Sequence, residues 1–281
     1  MLSTKRKIFI AKKLSQSLLF FRRMLGLSDQ FVCARRGINW HLNLNEGIDL
    51  SIYLLGGFEV DTLNRYQKMI NPGDIVLDIG ANIGAHTLPL AALVGNTGKV
   101  YSFEPTKYAF SKQIRNIDLN PELKNRIAAC QIMLTANPAA LPNEIYSSWP
   151  LDDVENLHEK HLGKLMSTQD AEAQRLDDFV DKLGITKVAF IKLDVDGNEL
   201  DVLKGAVKTI HTSKPKVMLE LAPYVFENRP EDFDDILDIF WNQGYQFTDI
   251  PSGKKLPQSI QGIKALIPKD GCLNVIATCI D

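Results

Sequence analysis

The residues from Asp78 to Glu104 have the types and spacing to hold a charged nucleoside. In VLDIGANIGAHT (residues 76–87) an apolar strand pattern runs into Asp78, Gly80, Ala81, Asn82 and Gly84. Glycines lack a Cβ, so the backbone can turn sharply and approach a ligand closely. The amides of a helix opening at that point favour an anionic group. A dinucleotide fingerprint reads G-x-G-x-x-G, with a middle glycine that admits a pyrophosphate. Here that position is Asn82, whose side chain obstructs a diphosphate but can hydrogen-bond a smaller head group. Asp78, two residues before the first glycine, suits an ammonium. In KVYSFEP, Glu104 sits at a second strand end, where a carboxylate accepts hydrogen bonds from both hydroxyls of a ribose. A cofactor that carries an α-amino group, a carboxylate and a sulfonium on a nucleoside meets all these demands, and that cofactor is S-adenosylmethionine.

A second constellation lies in FIKLDVDGNELDVLKGA (residues 190–206). Lys192, Asp194 and Asp196 alternate along a candidate strand, which predicts that their side chains share one face. Charges on a strand otherwise rich in Val, Ile and Leu are costly unless they are paired or wetted at a site. Gly197 then turns the chain toward a helix near Glu199, for which ion pairing and helix capping are the structural alternative. Asp194 falls at the expected site edge. It is the candidate carboxylate nearest the methyl group, orienting the acceptor or receiving its proton, with Lys192 setting its charge. Glu220, in VMLEL, is a second candidate base, or else a buried acid bonded to backbone amides or Lys192.

Other polar residues carry weaker signals. His86 follows Gly84 and is expected on the surface of a helix, with cofactor or acceptor contact as the alternative. His158 and His161 in LHEKH have metal-compatible spacing but no further His or Cys nearby. Asp194 and Asp196 offer oxygen ligands for a divalent ion, yet nothing in the pattern demands a metal. Tyr146 and Trp149 would suit stacking on a sugar or ring system, or core packing.

These residues need a scaffold, and the chain alternates short apolar strands with helices from residue 73 onward. Strands are expected at 75–79, 100–103, 127–133, 188–193 and 217–221, and helices at 84–94, 108–118, 171–183, 199–211 and 231–243. Two final strands, 245–248 and 273–278, have no helical period between them, so at least one is expected to be antiparallel. Such alternation predicts an α/β fold with a mostly parallel sheet covered on both faces. Upstream, GINWHLNL and IDLSIYLLGG flank Asn45-Glu46-Gly47 and read as a β-hairpin, followed by a helix ending at Asn71-Pro72-Gly73. Residues 136–169 are polar and aperiodic, the signature of a functional lid or a disordered insert. With residues 251–270 they are the expected acceptor loops.

With both constellations in view, the chain resembles the FkbM family of methyltransferases. GDIVLDIGANIG, Glu104 in SFEP, RLDDFVDKLGI, IKLDVDGNELDVLKGA and VMLEL carry the likeness, which covers about residues 37–278. The family more often has Glu where this chain has Asp196. The resemblance implies a Rossmann-like, seven-stranded class I methyltransferase fold, S-adenosylmethionine as cofactor, and O-methylation of a sugar, glycan or natural-product hydroxyl.

Charge limits the partners. The 281-residue chain has a net charge of −2. Residues 1–36 hold nine Lys/Arg against the single acid Asp29, which leaves the remainder at −10. So acidic a body is a poor partner for phosphate backbones. RNA methylation on the same fold is therefore the alternative acceptor reading, and a non-catalytic cofactor-binding or membrane-surface module is the other. Cys33, Cys130, Cys272 and Cys279 form no CxxC pair, which fits a reducing, cytoplasmic setting. No apolar run reaches the ~20 residues needed to span a bilayer. Residues 4–27 read as a basic amphipathic helix, with Leu14, Leu18, Phe21 and Leu25 as its apolar side. That helix either packs on the domain or makes peripheral contact with an anionic membrane. The chain thus divides into a helix (1–30), a hairpin-and-helix segment (31–72) and a methyltransferase domain (73–281). The sequence does not specify an oligomeric state.

Overall fold

A computed structural model describes residues 4–147, 150–151, 163–269 and 271–280. The strands are β1 (Gln30–Arg35), β2 (Ile38–Asn43), β3 (Ile75–Ile79), β4 (Lys99–Phe103), β5 (Ile127–Cys130), β6 (Ile132–Leu134) and β7 (Glu144–Ser147), then β8 (Lys164–Ser167), β9 (Glu172–Gln174), β10 (Phe190–Leu193), β11 (Lys216–Leu221), β12 (Tyr245–Asp249) and β13 (Leu273–Cys279). The helices are α1 (Thr4–Met24), α2 (Gly47–Leu55), α3 (Val60–Tyr66), α4 (Thr87–Leu93), α5 (Lys107–Asp118) and α6 (Pro121–Lys124), then α7 (Leu176–Lys182), α8 (Glu199–Lys204), α9 (Val207–Ser213), α10 (Pro230–Trp241) and α11 (Ile260–Leu266).

Seven strands form one sheet in the order β12-β13-β11-β10-β3-β4-β5. Only β13 runs against its neighbours, pairing antiparallel with both β11 and β12. The parallel strands are buried on both faces, which explains their near-continuous apolar runs. Leu77, Ile79, Ile191 and Leu193 face one core layer, while Val76 and Phe190 face the other. Strand order reverses between β3 and β10, so a crevice opens at their carboxyl ends.

The upstream hairpin is built from other residues than expected. It joins β1 to β2, and its turn places Arg36 and Gly37 at φ 50° and 75°. Positive φ at both central residues matches the right-handed twist of a two-residue hairpin. The segment expected as its second strand is α2. Asp49, Leu50 and Ile52 are buried there, and Asp49 and Glu46 both pair with Lys112 of α5. The helix ends at Gly56, which is left-handed at φ 80°.

Three further boundaries differ. The run 127–133 splits after Cys130, and β6 leaves the sheet to pair with β9, so the predicted 171–183 helix begins only at Leu176. The predicted 199–211 helix breaks at Gly205, where a Cβ would lie 2.8 Å from the Thr135 carbonyl oxygen. The predicted 84–94 helix starts at Thr87 because Gly80, Asn82 and Gly84 all take positive φ. The 136–169 insert contains the antiparallel ribbon β7–β8. Contrary to expectation a helix separates the last two strands: α11 is capped by Ser259 and buries Ile263.

The amino-terminal helix packs on the domain, and of its expected apolar side only Leu18 joins the contact. Ser15 and Leu19 are buried against Leu44, Leu50 and Leu151, and Ser15 Oγ donates to the Leu44 carbonyl at 2.7 Å. Leu14, Phe21 and Leu25 are exposed. Among the described residues no helix is long and apolar enough to cross a membrane. No disulfide joins the four cysteines.

Candidate active site

The β3–β10 register sets Lys192 directly beside Asp78. Lys192 is buried, with Nζ 3.1 Å from Asp194 Oδ2, 3.9 Å from Asp78 Oδ1 and 3.2 Å from the Gly80 carbonyl oxygen to which it donates. Burial lowers the tendency of an ammonium to stay charged. Asp194, Asp78 and Glu59 outweigh that penalty and hold the Lys192 pKa above its ordinary value. Asp78 is fully buried and accepts from Thr87 Oγ1 at 2.6 Å. Its carboxyl is raised by burial, with partial relief from Lys192 and Thr87.

Asp78 therefore stands behind the glycine turn, outside the residues that line the cleft, and its Oδ1 has no hydrogen-bond partner among the described residues. Lys192→Met keeps the bulk but strands a buried acid, and about 3–5 kcal/mol of stability is expected to be lost. A fall in the urea midpoint would register it; an unchanged midpoint would contradict the pairing.

The glycine turn is clamped from two sides. Gly80 and Ala81 both donate to the Phe103 carbonyl, at 3.0 and 2.9 Å. The Asn82 amide donates to Glu104 Oε2 at 2.9 Å, and the Thr106 amide donates to Glu104 Oε1 at 2.8 Å. Asn82 itself is left-handed at φ 48°, a conformation asparagine tolerates better than most residues. Behind the turn, Asn116 Nδ2 donates to the Ile83 carbonyl at 3.0 Å. Glu104 is buried, which raises its carboxyl against the opposing hydrogen bonds from Thr106 and Asn82.

The cleft opens to solvent, and the space in and over it amounts to about 560 Å³. Gly80, Asn82, Glu104 and Asp194 line it. Asp78, Ala81, Gly84 and Lys192 form the layer behind. Ile145, Tyr146 and Ser147 of the insert close one side, and Ile132 to Leu134 floor another.

Past Leu193 the strand ends, so Lys192, Asp194 and Asp196 do not continue one alternating face. Residues 194–197 turn instead, with Asp196 at φ 50° and exposed. Glu199 braces this turn by accepting from the Val195 and Gly197 amides at 3.1 and 3.2 Å. As the first residue of α8 it ties the turn to that helix. Burial raises it and those amides hold it down.

Glu220 lies on the next strand, outside the cleft lining. Burial, then the Asp194 charge, pushes its carboxyl up to about 7, while Cys272 hydrogen-bonds it in the opposing sense. Neither Glu59 nor His86 lines the cleft, and only Glu59 lies outside the motifs of the sequence. Glu59 accepts from Asn274 Nδ2 at 3.1 Å, and its Oε2 lies 3.7 Å from His86 Nε2. His86 is buried rather than on the surface, within 2.7 Å of the Tyr66 hydroxyl through Nδ1. Burial, then Lys192, holds its imidazole well below the ordinary histidine range, so it is neutral at pH 7. Among the described residues no cluster of His, Cys, Asp or Glu is arranged to hold a metal. His158, His161 and Trp149 lie outside the described residues.

Sequence comparison identifies the domain. The Methyltransferase FkbM domain family matches residues 78–247, from the glycine turn to β12. The chain belongs to the FkbM methyltransferase family. Methyltransferase sdnD of Sordaria araneosa is 27% identical over 155 residues, which cover 46% of this chain and 59% of that protein. Hexuronic acid methyltransferase AglP of Haloferax volcanii is 22% identical over 158 residues, covering 55% and 59% respectively. The chain thus spans under two thirds of the length of these relatives. The FkbM methyltransferase structure from Methylobacillus flagellatus aligns at 18% identity and TM-score 0.45, over 81% of this chain and 52% of that one.

As an FkbM methyltransferase, this domain has S-adenosylmethionine as its cofactor, and the cleft fits it. A Cβ on Gly80 would sit 1.8 Å from the Asp194 carbonyl oxygen, so the two strand ends meet with no room for a side chain. On Glu104, Oε2 accepts one protein hydrogen bond and keeps a lone pair for a ribose hydroxyl.

Proposed function

We propose that this protein is an S-adenosylmethionine-dependent O-methyltransferase acting on a hydroxyl of a sugar, glycan or natural product by in-line transfer. One observation carries the reading: a carboxylate, Asp194, held by a buried lysine at the edge of the cofactor cleft, with its side chain 37% exposed to an incoming acceptor. The name of the hexuronic acid methyltransferase relative supports a sugar acceptor. Methyl transfer is assigned to residues 73–281, with 31–72 buttressing the sheet and 1–30 set apart from the chemistry.

Bound S-adenosylmethionine supplies an electrophilic methyl group on a sulfonium. The chain has then to hold the acceptor oxygen in line and to take up its proton as positive charge develops on that oxygen. Gly80, Asn82 and Glu104 would hold the cofactor. Asp194 orients the acceptor hydroxyl or receives its proton, and Lys192 keeps Asp194 in place. Glu220 is the second base.

If Glu220 takes part, the rate rises with pH through about 7 and levels above it, since only the ionised carboxylate accepts a proton. Glu220→Gln is expected to flatten that limb, and a profile identical to wild type removes Glu220 from the reaction. The acceptor class is tested by transfer of a labelled methyl group to glycans, lipid-linked sugars and RNA. Label in sugar hydroxyls is expected; label confined to RNA would contradict the assignment.

A further inference from the structure

We propose that the outward face of α1 docks this protein onto an anionic membrane surface. The helix buries Ser15 and Leu19 and leaves the opposite side uncovered. Phe9, Phe20, Phe21 and Met24 are each at least 60% exposed there, as is Leu25 just past its end. An apolar patch of this kind on a soluble domain marks a site of interaction, since isolated apolar side chains do not cluster along one helix face by chance.

Charge selects the occupant. The first 36 residues carry nine Lys/Arg against Asp29 alone, while the rest of the chain is −10. A second copy of this helix would bring the same excess of positive charge against itself. An anionic bilayer attracts it, and the acidic body is held away from the surface. Lys13 lies within the uncovered side, its Nζ 5.8 Å from the Phe9 ring, where a long stem can sink while its ammonium stays at headgroup level. Its charged residues keep the 21-residue helix from crossing, so the helix lies in the plane of the interface. The buried side of the helix touches Leu151, which belongs to the insert whose strand β7 borders the cleft.

Flotation of the full chain with phosphatidylcholine vesicles, with and without phosphatidylserine, tests this. Binding is expected only with phosphatidylserine, weakened at high salt. Substituting Phe9→Ser, Phe20→Ser and Met24→Ser together, all at exposed positions, is expected to lower vesicle affinity about tenfold or more at unchanged thermal stability. Wild-type protein that stays unbound overturns the proposal, as does equal binding by the triple variant. Sedimentation that shows a wild-type dimer, a monomeric variant and no vesicle binding would assign the face to self-association instead. Methyl transfer to a soluble acceptor is expected to be the same in both proteins, so loss of docking and failure of the enzymatic reading are distinguishable.

Discussion

Asp194→Asn is expected to lower methyl-transfer turnover by about 10²–10⁴-fold, the usual worth of a positioned acid or base. The substitution is isosteric, and it leaves Lys192 with Asp78 at 3.9 Å and the Gly80 carbonyl at 3.2 Å. The backbone amide of residue 194 still donates to the Ile79 carbonyl at 3.1 Å, so the strand end keeps its place. Cofactor affinity is therefore expected to change far less than turnover. Titration with S-adenosylhomocysteine beside steady-state kinetics separates the two quantities. Turnover at the wild-type level would exclude Asp194 from proton transfer and acceptor positioning alike.

Gly80→Ala is expected to be the most damaging single methyl group in the molecule. Its φ of 78° alone costs an L-residue about 1–2 kcal/mol. The added Cβ also collides with the Asp194 carbonyl oxygen, a backbone atom fixed between two strands. Overpacking of a tight core adds about 1–3 kcal/mol. To relieve the overlap, the ends of β3 and β10 must part, which moves Asp194 away from the cleft floor. A displacement of about 1 Å at a reacting group costs about 10²-fold in rate. Lowered unfolding midpoint, weakened S-adenosylhomocysteine binding and reduced turnover are expected together. Gly84→Ala is the control, because at a similar φ of 86° its Cβ would meet a side chain, Gln113 at 3.3 Å, and not a backbone atom. Equal effects at the two positions would show that backbone conformation, not the close approach of strands, governs the turn.

The strands that build the cleft were legible because parallel strands buried on both faces must be apolar throughout, as IVLDI and FIKL are. Glu104 stood out only together with Asp78, Gly80, Asn82 and Gly84, since a glutamate at a strand end is by itself more often a solvated residue. The position of Asp78 was not, since strand register decides its neighbours, and only the β3–β10 pairing sets it beside Lys192. Burial of His86 and recruitment of Glu59 depend on α3 packing over α4, a tertiary contact that leaves no trace in local spacing. Likewise α2 read as a strand, because IDLSIYLL is rich in residues that suit either period. The helix buries Asp49, Leu50 and Ile52 and sets Asp49 against Lys112, sixty-three residues away, contacts that local spacing does not show. The apolar side of α1 was misassigned for a related reason: its helix has apolar residues on two sides, and the side that packs is chosen by Leu44, Leu50 and Leu151.

The central claim is a cofactor held between the ends of β3 and β4 with its methyl group turned toward Asp194. A crystal structure with S-adenosylhomocysteine bound tests it most directly. The ribose is expected against Glu104, the amino-acid end over the Gly80–Gly84 turn and the sulfur facing Asp194. A ligand bound away from that turn, or one with its sulfur buried far from Asp194, would contradict the assignment.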